Sequence, residues 1–283
     1  MPYCLIFPGQ GTQFPGMSAG LDLNRIGDDS LLRLMAEGPE DVLTQTINAQ
    51  KAVFAVTAAL WDSCAFKDPA LLMGHSLGEY MALVASGALS QEECRTLVSV
   101  RASAMDKATA GGEGAMAAVL GLSAADVSET IENLDGVWVA NINTAAQVVI
   151  SGSTSAIKQA MPLLKDKGAK KVVLLNVAVP SHCPLMEPAR KTLREYLKNV
   201  RMQRPKSGVV FNAVAGEESD PEKIKDLLAE GLVSPVQWEK SVRYAAAKGI
   251  DHFIEIGPKS VLAPMVKRIV PDARVEVITA DAH

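Results

Sequence analysis

The chain contains few cysteines, and no two of them form a CxxC pair. Its 283 residues include four, which are Cys4, Cys64, Cys94 and Cys183. Scattered cysteines are more typical of small buried apolar groups in a reducing compartment than of disulfides or metal ligands. The sequence therefore predicts neither a disulfide framework nor a metal site.

A long apolar run, a secretion signal and an excess of basic charge are also absent. A membrane-spanning helix needs roughly 20 consecutive apolar residues, and no run approaches that length. The N-terminus passes into strand-like YCLIF without a basic signal region. The net charge of −4 gives no electrostatic case for binding a polyanion. We therefore expect a cytoplasmic protein that binds neither membranes nor nucleic acid.

Hydrophobic residues, by contrast, make up 48% of the chain and occur in short runs that alternate with helical patterns. YCLIF, which stops at PGQG, predicts a buried strand, and ALLMGHS predicts a second one. Helix patterns cover residues 39–63 as one stretch and then GEYMALVASGAL. Near the C-terminus the alternation resumes, with strands at GVVFNAV and HFIEIG. This order predicts an α/β fold with a central parallel sheet.

The middle of the chain has a different order of elements. Strand patterns in GAMAAVLGL, VWVANIN, QVVISG and KKVVLLNVAV are separated by helix patterns in SAADVSETIENL and STSAIKQAMPLLKDKG. Ser123 stands where it would cap the first of these helices. The order β-α-β-β-α-β is that of a ferredoxin-like unit. We predict a small inserted domain over residues 112–177, within a larger domain formed by residues 1–111 and 178–283.

Ser76 is the candidate nucleophile. It lies in GHSLG, a G-x-S-x-G motif between a predicted strand and a predicted helix. The flanking glycines tolerate a sharp turn that lifts the hydroxyl above the sheet, and the following helix offers N–H groups to an oxyanion. A glycine-framed turn with a capping serine is the simpler alternative, but the strand–turn–helix context favours a nucleophile.

A serine nucleophile needs a base, and the chain has only four histidines. His75 adjoins Ser76, His252 begins a strand and His283 is the last residue. His182, in VPSHCPLM, follows a strand pattern and precedes a helix, which is where α/β folds gather their sites. By elimination, we predict that His182 is the base. None of the acids between Ser76 and His182 stands where a hydrolase would place its third residue, so either a backbone carbonyl orients the imidazole or the protein is not a standard hydrolase.

Two further segments could bind a substrate. FPGQGTQFPG follows the first strand and fails as a dinucleotide motif, because Phe14 occupies the third glycine position. A glycine-rich loop there can supply N–H groups to an oxyanion, with Gln10 lining the pocket. Arg101 lies in a predicted helix, where it is either a solvated charge or a fork that binds a carboxylate.

Eight segments resemble, in order, the malonyl-CoA:acyl carrier protein transacylases of type II fatty acid synthesis. They are FPGQGTQFPGM, GHSLGEYMALVASGAL, VRASAM, GAMAAVLGL, NINTAAQVVISG, VPSHCPLM, SPVQWEKSV and EIGPKSVL. The resemblance runs over nearly the whole chain. It implies an α/β-hydrolase-like large domain with a ferredoxin-like insert.

The resemblance also implies a role for each matching residue. Ser76 would be the acylated nucleophile and His182 its general base, with the N–H groups of Gln10 and Leu77 forming the oxyanion hole. Arg101 would pair with the malonyl carboxylate. The last two positions are Gln237, whose main-chain carbonyl would orient His182, and Asn143, which would lie in the pocket.

The implied activity is transfer of a malonyl group from malonyl-CoA, through a malonyl-serine, to the phosphopantetheine thiol of acyl carrier protein. Such an [acyl-carrier-protein] S-malonyltransferase needs no cofactor, and we expect a monomer. A malonyl acyltransferase that serves a polyketide synthase or a malonate decarboxylase is the nearest alternative. A thioesterase that releases acyl groups from carriers is a more distant one, and Arg101 argues against it.

Overall fold

The computed structural model describes residues 2–23, 28–109, 114–177 and 179–280. The predicted domain boundary at residues 111 and 112 lies outside these ranges, as does residue 178 of the second boundary. None of the helices within the described ranges is long and apolar enough to cross a bilayer.

The described residues form ten strands and eleven α-helices. The strands are β1 (Tyr3–Phe7), β2 (Leu71–Gly74), β3 (Gly114–Leu120), β4 (Val137–Thr144), β5 (Gln147–Ser153), β6 (Lys171–Leu174), β7 (Gly208–Phe211), β8 (Gly216–Glu217), β9 (His252–Gly257) and β10 (Arg274–Thr279). The helices are α1 (Asp29–Glu37), α2 (Glu40–Thr44), α3 (Thr46–Ser63), α4 (Gly78–Ala85), α5 (Gln91–Ala108), α6 (Ala124–Ile131), α7 (Thr154–Asp166), α8 (Glu187–Leu197), α9 (Pro221–Glu230), α10 (Trp238–Ala247) and α11 (Ala263–Ile269).

The larger sheet has the strand order β10-β9-β1-β2-β7-β8. Every pair in it is parallel except the short β8, which runs antiparallel to β7. Its central strands are buried on both faces, because residues 4–7 of β1 and all four residues of β2 are buried. Continuous apolar runs are what a parallel sheet with helices on both faces requires. The mixed α/β fold with a central, mostly parallel sheet is therefore confirmed.

The second sheet is antiparallel, with the order β4-β5-β3-β6. Its strands and the helices α6 and α7 follow one another as β3-α6-β4-β5-α7-β6, which is the predicted order. Val127 and Ile157 of the helices pack with Ile150 of the sheet in a core of their own. Ser123 caps α6 as predicted, since its Oγ accepts the Asp126 N–H at 3.1 Å.

Three parts of the sequence-based assignment are wrong. The helix over residues 39–63 is broken at Gln45, which has extended backbone (φ −57°, ψ 135°). The Val42 carbonyl accepts there from the Gln45 N–H and from the Asn48 side chain. The strand predicted at KKVVLLNVAV ends at Leu174, and a last backbone bond to β3 follows from the Leu175 N–H to the Met116 carbonyl. β10 has no predicted counterpart, because its exposed edge gives RVEVIT a weak apolar pattern.

Backbone hydrogen bonds join the smaller sheet to the larger body. Ile142 of β4 donates to the Val236 carbonyl at 2.9 Å, and the Val236 N–H donates to Ala140 at 2.9 Å. These bonds form a parallel bridge between β4 and the segment that precedes α10. The bridge fixes the end of β4 beside the turn that leaves β2.

Two glycines allow α4 to start directly above the sheet. A Cβ on Gly78 would lie 2.0 Å from the Phe7 carbonyl oxygen of β1, and one on Gly74 would lie 1.9 Å from the Gly78 carbonyl carbon. Neither position has room for a side chain, so the turn from β2 to α4 depends on both glycines.

We expect Gly78→Ala to lower the free energy of unfolding by about 3 kcal/mol or more, because the new methyl group meets rigid backbone. Urea denaturation of the purified variant measures this. Gly216→Ala is the control, since a Cβ there would meet only the Val214 carbonyl oxygen at 3.8 Å. Equal stability of the two variants would contradict the close approach.

Candidate active site

Ser76 lies on the turn between β2 and α4, with the left-handed backbone angle φ of 52°. Such a conformation is uncommon for a residue with a Cβ and is found at strained turns that carry function. The turn places the Oγ atom at the carboxyl end of the parallel strands and beside the first turn of α4. The hydroxyl of Ser76 therefore lies above the end of the sheet, as the G-x-S-x-G motif predicts.

His182 lies next to the Ser76 hydroxyl. Its Nε2 is 2.8 Å from Ser76 Oγ, and its Nδ1 is 2.7 Å from the Gly231 carbonyl oxygen. Because a carbonyl can only accept, the proton of the neutral ring is on Nδ1 and Nε2 is left to accept from the serine. Like Ser76, His182 has a positive φ, of 62°, and its backbone N–H donates to Leu232. The imidazole is thus fixed in the orientation and tautomer of a general base.

The carbonyl that orients His182 belongs to Gly231, so the expectation for Gln237 is wrong. Gly231 caps the C-terminus of α9, where carbonyl groups lack helical partners and are free to accept. Gln237 instead precedes α10, and its carbonyl accepts the first helical bond from the Ser241 N–H at 2.9 Å. The same carbonyl also accepts from Ser241 Oγ at 3.0 Å.

Arg101 is buried, with 4% of its surface exposed, and reaches the serine from α5. Its Nη2 donates to Ser76 Oγ at 3.0 Å, and its Nη1 donates to the side-chain oxygen of Gln50. Both of these partners are uncharged. A buried guanidinium is stabilised by an anion, so this one is poised to bind a carboxylate beside the hydroxyl.

Gln50 is a site residue that the sequence analysis missed. It is fully buried on α3, where it accepts from Arg101 and donates to Met105 Sδ at 3.4 Å. The one available signal was an amide in the helical pattern NAQKAVFAVTAAL, at a position whose neighbours one helical turn later, Val53 and Phe54, are apolar. Buried amides need partners, and this one orients the guanidinium.

Gln10 lies in the loop that follows β1, and its Nε2 donates to Thr46 Oγ1 at 3.2 Å. The loop packs against the serine turn, because a Cβ on Gly9 would be 2.6 Å from the His75 carbonyl oxygen and 3.7 Å from the Leu77 nitrogen. The backbone of the Gln10 loop and that of Leu77 are therefore neighbours on one side of Ser76.

Asn143 extends the site onto the smaller sheet. Its Oδ1 is 3.0 Å from Nε2 of His75, whose ring lies 5.6 Å from that of Trp238. Burial lowers the pKa of His75, so the neutral ring donates to the amide oxygen. This contact joins the smaller sheet to the residue that precedes the serine.

A cavity of about 240 Å³ brings most of the predicted residues together. Its polar end is lined by Ser76, His182, Arg101, Gln10 and Asn143. The rest of its wall is largely apolar and comes from both sheets and their connections, including Met105, Met116, Val149, Leu175, Val177, Leu262 and Met265. A polar end within an apolar wall is typical of a small-molecule site. Within the described ranges, no group of His, Cys, Asp and Glu side chains is arranged to hold a metal ion.

The comparisons with known proteins agree with this geometry. Residues 23–280 match the family model for the acyl transferase domain. The malonyl CoA-acyl carrier protein transacylase of Escherichia coli (strain K12) is 38% identical, over 99% of this chain and 95% of its own. The chain belongs to the malonyl CoA-acyl carrier protein transacylase family of acyl transferases.

Two solved structures in this family are very similar to the chain. The malonyl CoA-acyl carrier protein transacylase of Coxiella burnetii superimposes with a TM-score of 0.94 at 35% identity, covering 99% of this chain and 95% of its own. A malonyl-transacylase in complex with a type II PKS acyl-carrier protein gives 0.94 at 34% identity, with 99% and 96% covered.

The protonation state of His182 generates a prediction for this acyl transferase. Burial, and secondly the nearby Arg101 charge, lower the pKa of His182 to about 3. The ring therefore stays unprotonated, and able to accept the serine proton, down to pH values where an ordinary histidine is protonated. We expect the rate at which a fluorophosphonate modifies Ser76 to stay level from pH 8 to pH 5. An inflection near the ordinary value of 6.5 would contradict the lowered pKa, and Ser76→Ala is the blank.

Proposed function

We propose that the protein transfers a malonyl group from malonyl-CoA to the phosphopantetheine thiol of acyl carrier protein, through a malonyl ester on Ser76. The observation that carries this proposal is the buried Arg101, whose guanidinium lies 3.0 Å from the Ser76 hydroxyl. A nucleophile with a carboxylate receptor beside it suits an acyl donor that ends in a carboxylate. The names of the relatives support the same substrate and acceptor.

In the first half-reaction, His182 Nε2 takes the proton of Ser76 Oγ as Oγ attacks the thioester carbonyl. The Oγ–C bond forms, and the carbonyl oxygen becomes an oxyanion that the N–H groups of Gln10 and Leu77 stabilise. The C–S bond then breaks, and His182 returns the proton to the sulfur of coenzyme A. The contact between the Gln10 loop and the Leu77 backbone supports this pair of donors.

In the second half-reaction, His182 takes the proton of the carrier thiol, whose sulfur attacks the malonyl-serine. The tetrahedral intermediate collapses to the new thioester, and Ser76 recovers its proton from His182. The Gly231 carbonyl fixes the ring throughout, which is the part that a carboxylate plays in many hydrolases. No cofactor takes part in either step.

The fold is that of an α/β-hydrolase-like domain, formed by residues 1–111 and 178–283, with a ferredoxin-like insert over residues 112–177. The parallel sheet with a nucleophile after one of its inner strands supports the first description. The order β3-α6-β4-β5-α7-β6 supports the second. Asn143 of the insert, held by His75, would contact the bound acyl chain or its thioester.

The pathway has an alternative that one observation favours. The solved malonyl-transacylase in complex with a type II PKS acyl-carrier protein is as similar in fold to this chain as the transacylase of Coxiella burnetii. Malonyl transfer rates to purified fatty acid and polyketide carriers, measured side by side, decide which one is the acceptor. The cytoplasmic location and the monomeric state stay predictions from the sequence.

Incubation with malonyl-CoA should place one malonyl group on Ser76, because Oγ, Nε2 and the carboxylate receptor lie within one cavity. Intact-protein mass spectrometry, followed by peptide mapping, measures the adduct. Adding a phosphopantetheinylated carrier should remove the group and transfer it to the carrier. Ser76→Ala is the control. Release of free malonate at the same rate without a thiol acceptor would indicate a thioesterase instead.

Arg101→Ala should lower kcat/KM for malonyl-CoA on the order of 100-fold, because a charge-assisted bidentate contact is lost. Transfer from acetyl-CoA, which has no carboxylate, should be kept or raised in the same variant. The ratio of the two rates is the measurement, and it is independent of the amount of folded protein. An unchanged preference for malonyl-CoA would exclude Arg101 as the receptor.

A further inference from the structure

Glu79 is a buried carboxyl group that the proposed mechanism does not use. It lies in the first turn of α4, three residues after Ser76, with 5% of its surface exposed. Burial raises the pKa of Glu79 to about 8. A carboxyl group is costly to bury, so its place beneath the serine turn calls for a physical reason.

The hydrogen bonds of Asn212 supply that reason. Asn212 directly follows β7, the neighbour of β2, and has 2% of its surface exposed. Its Oδ1 accepts the Ser76 N–H at 2.7 Å, and its Nδ2 donates to the Gly74 carbonyl at 2.6 Å. One amide therefore bridges the residues on both sides of His75 and continues the β2–β7 pairing through the turn.

Glu79 in turn holds the backbone of Asn212. Its Oε1 accepts the Asn212 N–H at 2.7 Å, while the Asn212 carbonyl accepts the Gln237 N–H at 3.1 Å. Both backbone polar groups of Asn212 are thus fixed by hydrogen bonds. They set the direction in which its side chain leaves the backbone. The amide cannot rotate away from the serine turn without breaking buried hydrogen bonds.

The same carboxyl group lies beside the turn that orients His182. A Cβ on Gly231 would be 3.7 Å from Glu79 Oε2, an ordinary van der Waals distance. Gly231 is the residue whose carbonyl accepts from His182 Nδ1. Glu79 therefore holds the serine turn through Asn212 and also lies close to the turn that carries the Gly231 carbonyl.

We propose that Asn212 and Glu79 are positioning residues that hold the left-handed backbone of Ser76, and with it the Oγ atom, in line with His182 Nε2. Neither residue touches the substrate. Their effect is on the alignment of the two reacting atoms, which controls how often the hydroxyl is ready to attack. The proposal rests on the proposed role of Ser76 as the acylated residue.

Asn212→Leu removes the acceptor for Ser76 and the donor for Gly74 at nearly constant volume. We expect it to lower the rate of fluorophosphonate modification of Ser76, and kcat with malonyl-CoA, by about 100-fold. The KM for malonyl-CoA should change by less than about threefold, because Arg101 and the cavity wall are untouched. A merely structural defect would instead lower the titratable fraction of active protein and leave the rate per active site unchanged.

Glu79 is tested by a pair of substitutions. Glu79→Leu removes the acceptor for the Asn212 N–H and should lower both rates at least tenfold. Glu79→Gln keeps an oxygen at that position and should restore most of the loss. Val127→Ala, in the separate core of the smaller sheet, is the control for general destabilisation and should leave the rate per active site unchanged.

The outcomes separate this proposal from the proposed function. Wild-type protein that reacts with the fluorophosphonate at Ser76 but not with malonyl-CoA would overturn the proposed function alone. Asn212→Leu and Glu79→Leu proteins that react with the fluorophosphonate at the wild-type rate would overturn the positioning role. If neither leucine variant folds, Asn212→Ala is measured, since it removes the hydrogen bonds to both Ser76 and Gly74 without adding bulk or charge. Wild-type reactivity of that variant would also overturn the proposal, and a loss of about tenfold or more would support it.

Discussion

The whole site depends on the contact of α4 with the end of β1, where Gly78 lies against the Phe7 carbonyl. Because no side chain separates them, the helix begins immediately above the sheet and the chain must turn within Gly74–Gly78. That constraint forces Ser76 into left-handed backbone and points its hydroxyl out of the sheet. It also brings the loop after β1, with Gln10, against the backbone of Leu77. The serine, the loop and the helix start are thus arranged by one close approach between backbones.

A backbone carbonyl takes the place of the acidic residue that orients the catalytic histidine in many hydrolases. The residue that holds His182 is the glycine at the end of α9, and it acts through a carbonyl that the helix leaves free. A neutral acceptor stabilises an imidazolium less than a carboxylate does. Burial, and secondly the nearby Arg101 charge, lower the pKa of His182, so the ring is kept neutral. The guanidinium that disfavours a charged histidine is the same one that is suited to a charged substrate.

Much of this could be predicted from local sequence. The strand–turn–helix context identified Ser76, and the scarcity of histidines led to His182. The order of strands and helices predicted both sheets.

Gly231 could not be found in this way, because any residue has a carbonyl and only the end of α9 shows which one is free. Gln50 and Asn212 were missed for a related reason. Each is an ordinary amide whose importance comes from partners 51 and 136 residues away. β10 was missed because an edge strand is only half covered and its sequence is correspondingly mixed.

The pairing of β6 with β3 has a consequence for how the protein folds. Ser76 and His182 are separated by 106 residues, and the smaller sheet accounts for most of that interval. Closing a flexible loop costs conformational entropy that grows with its length, by about 0.6 kcal/mol for each doubling. Once β6 is paired with β3, the long interval is replaced by two shorter spans, one before β3 and one after β6. The smaller sheet therefore shortens the effective loop between the serine and the histidine, and lowers the entropic cost of bringing them together by an amount on the order of 1 kcal/mol.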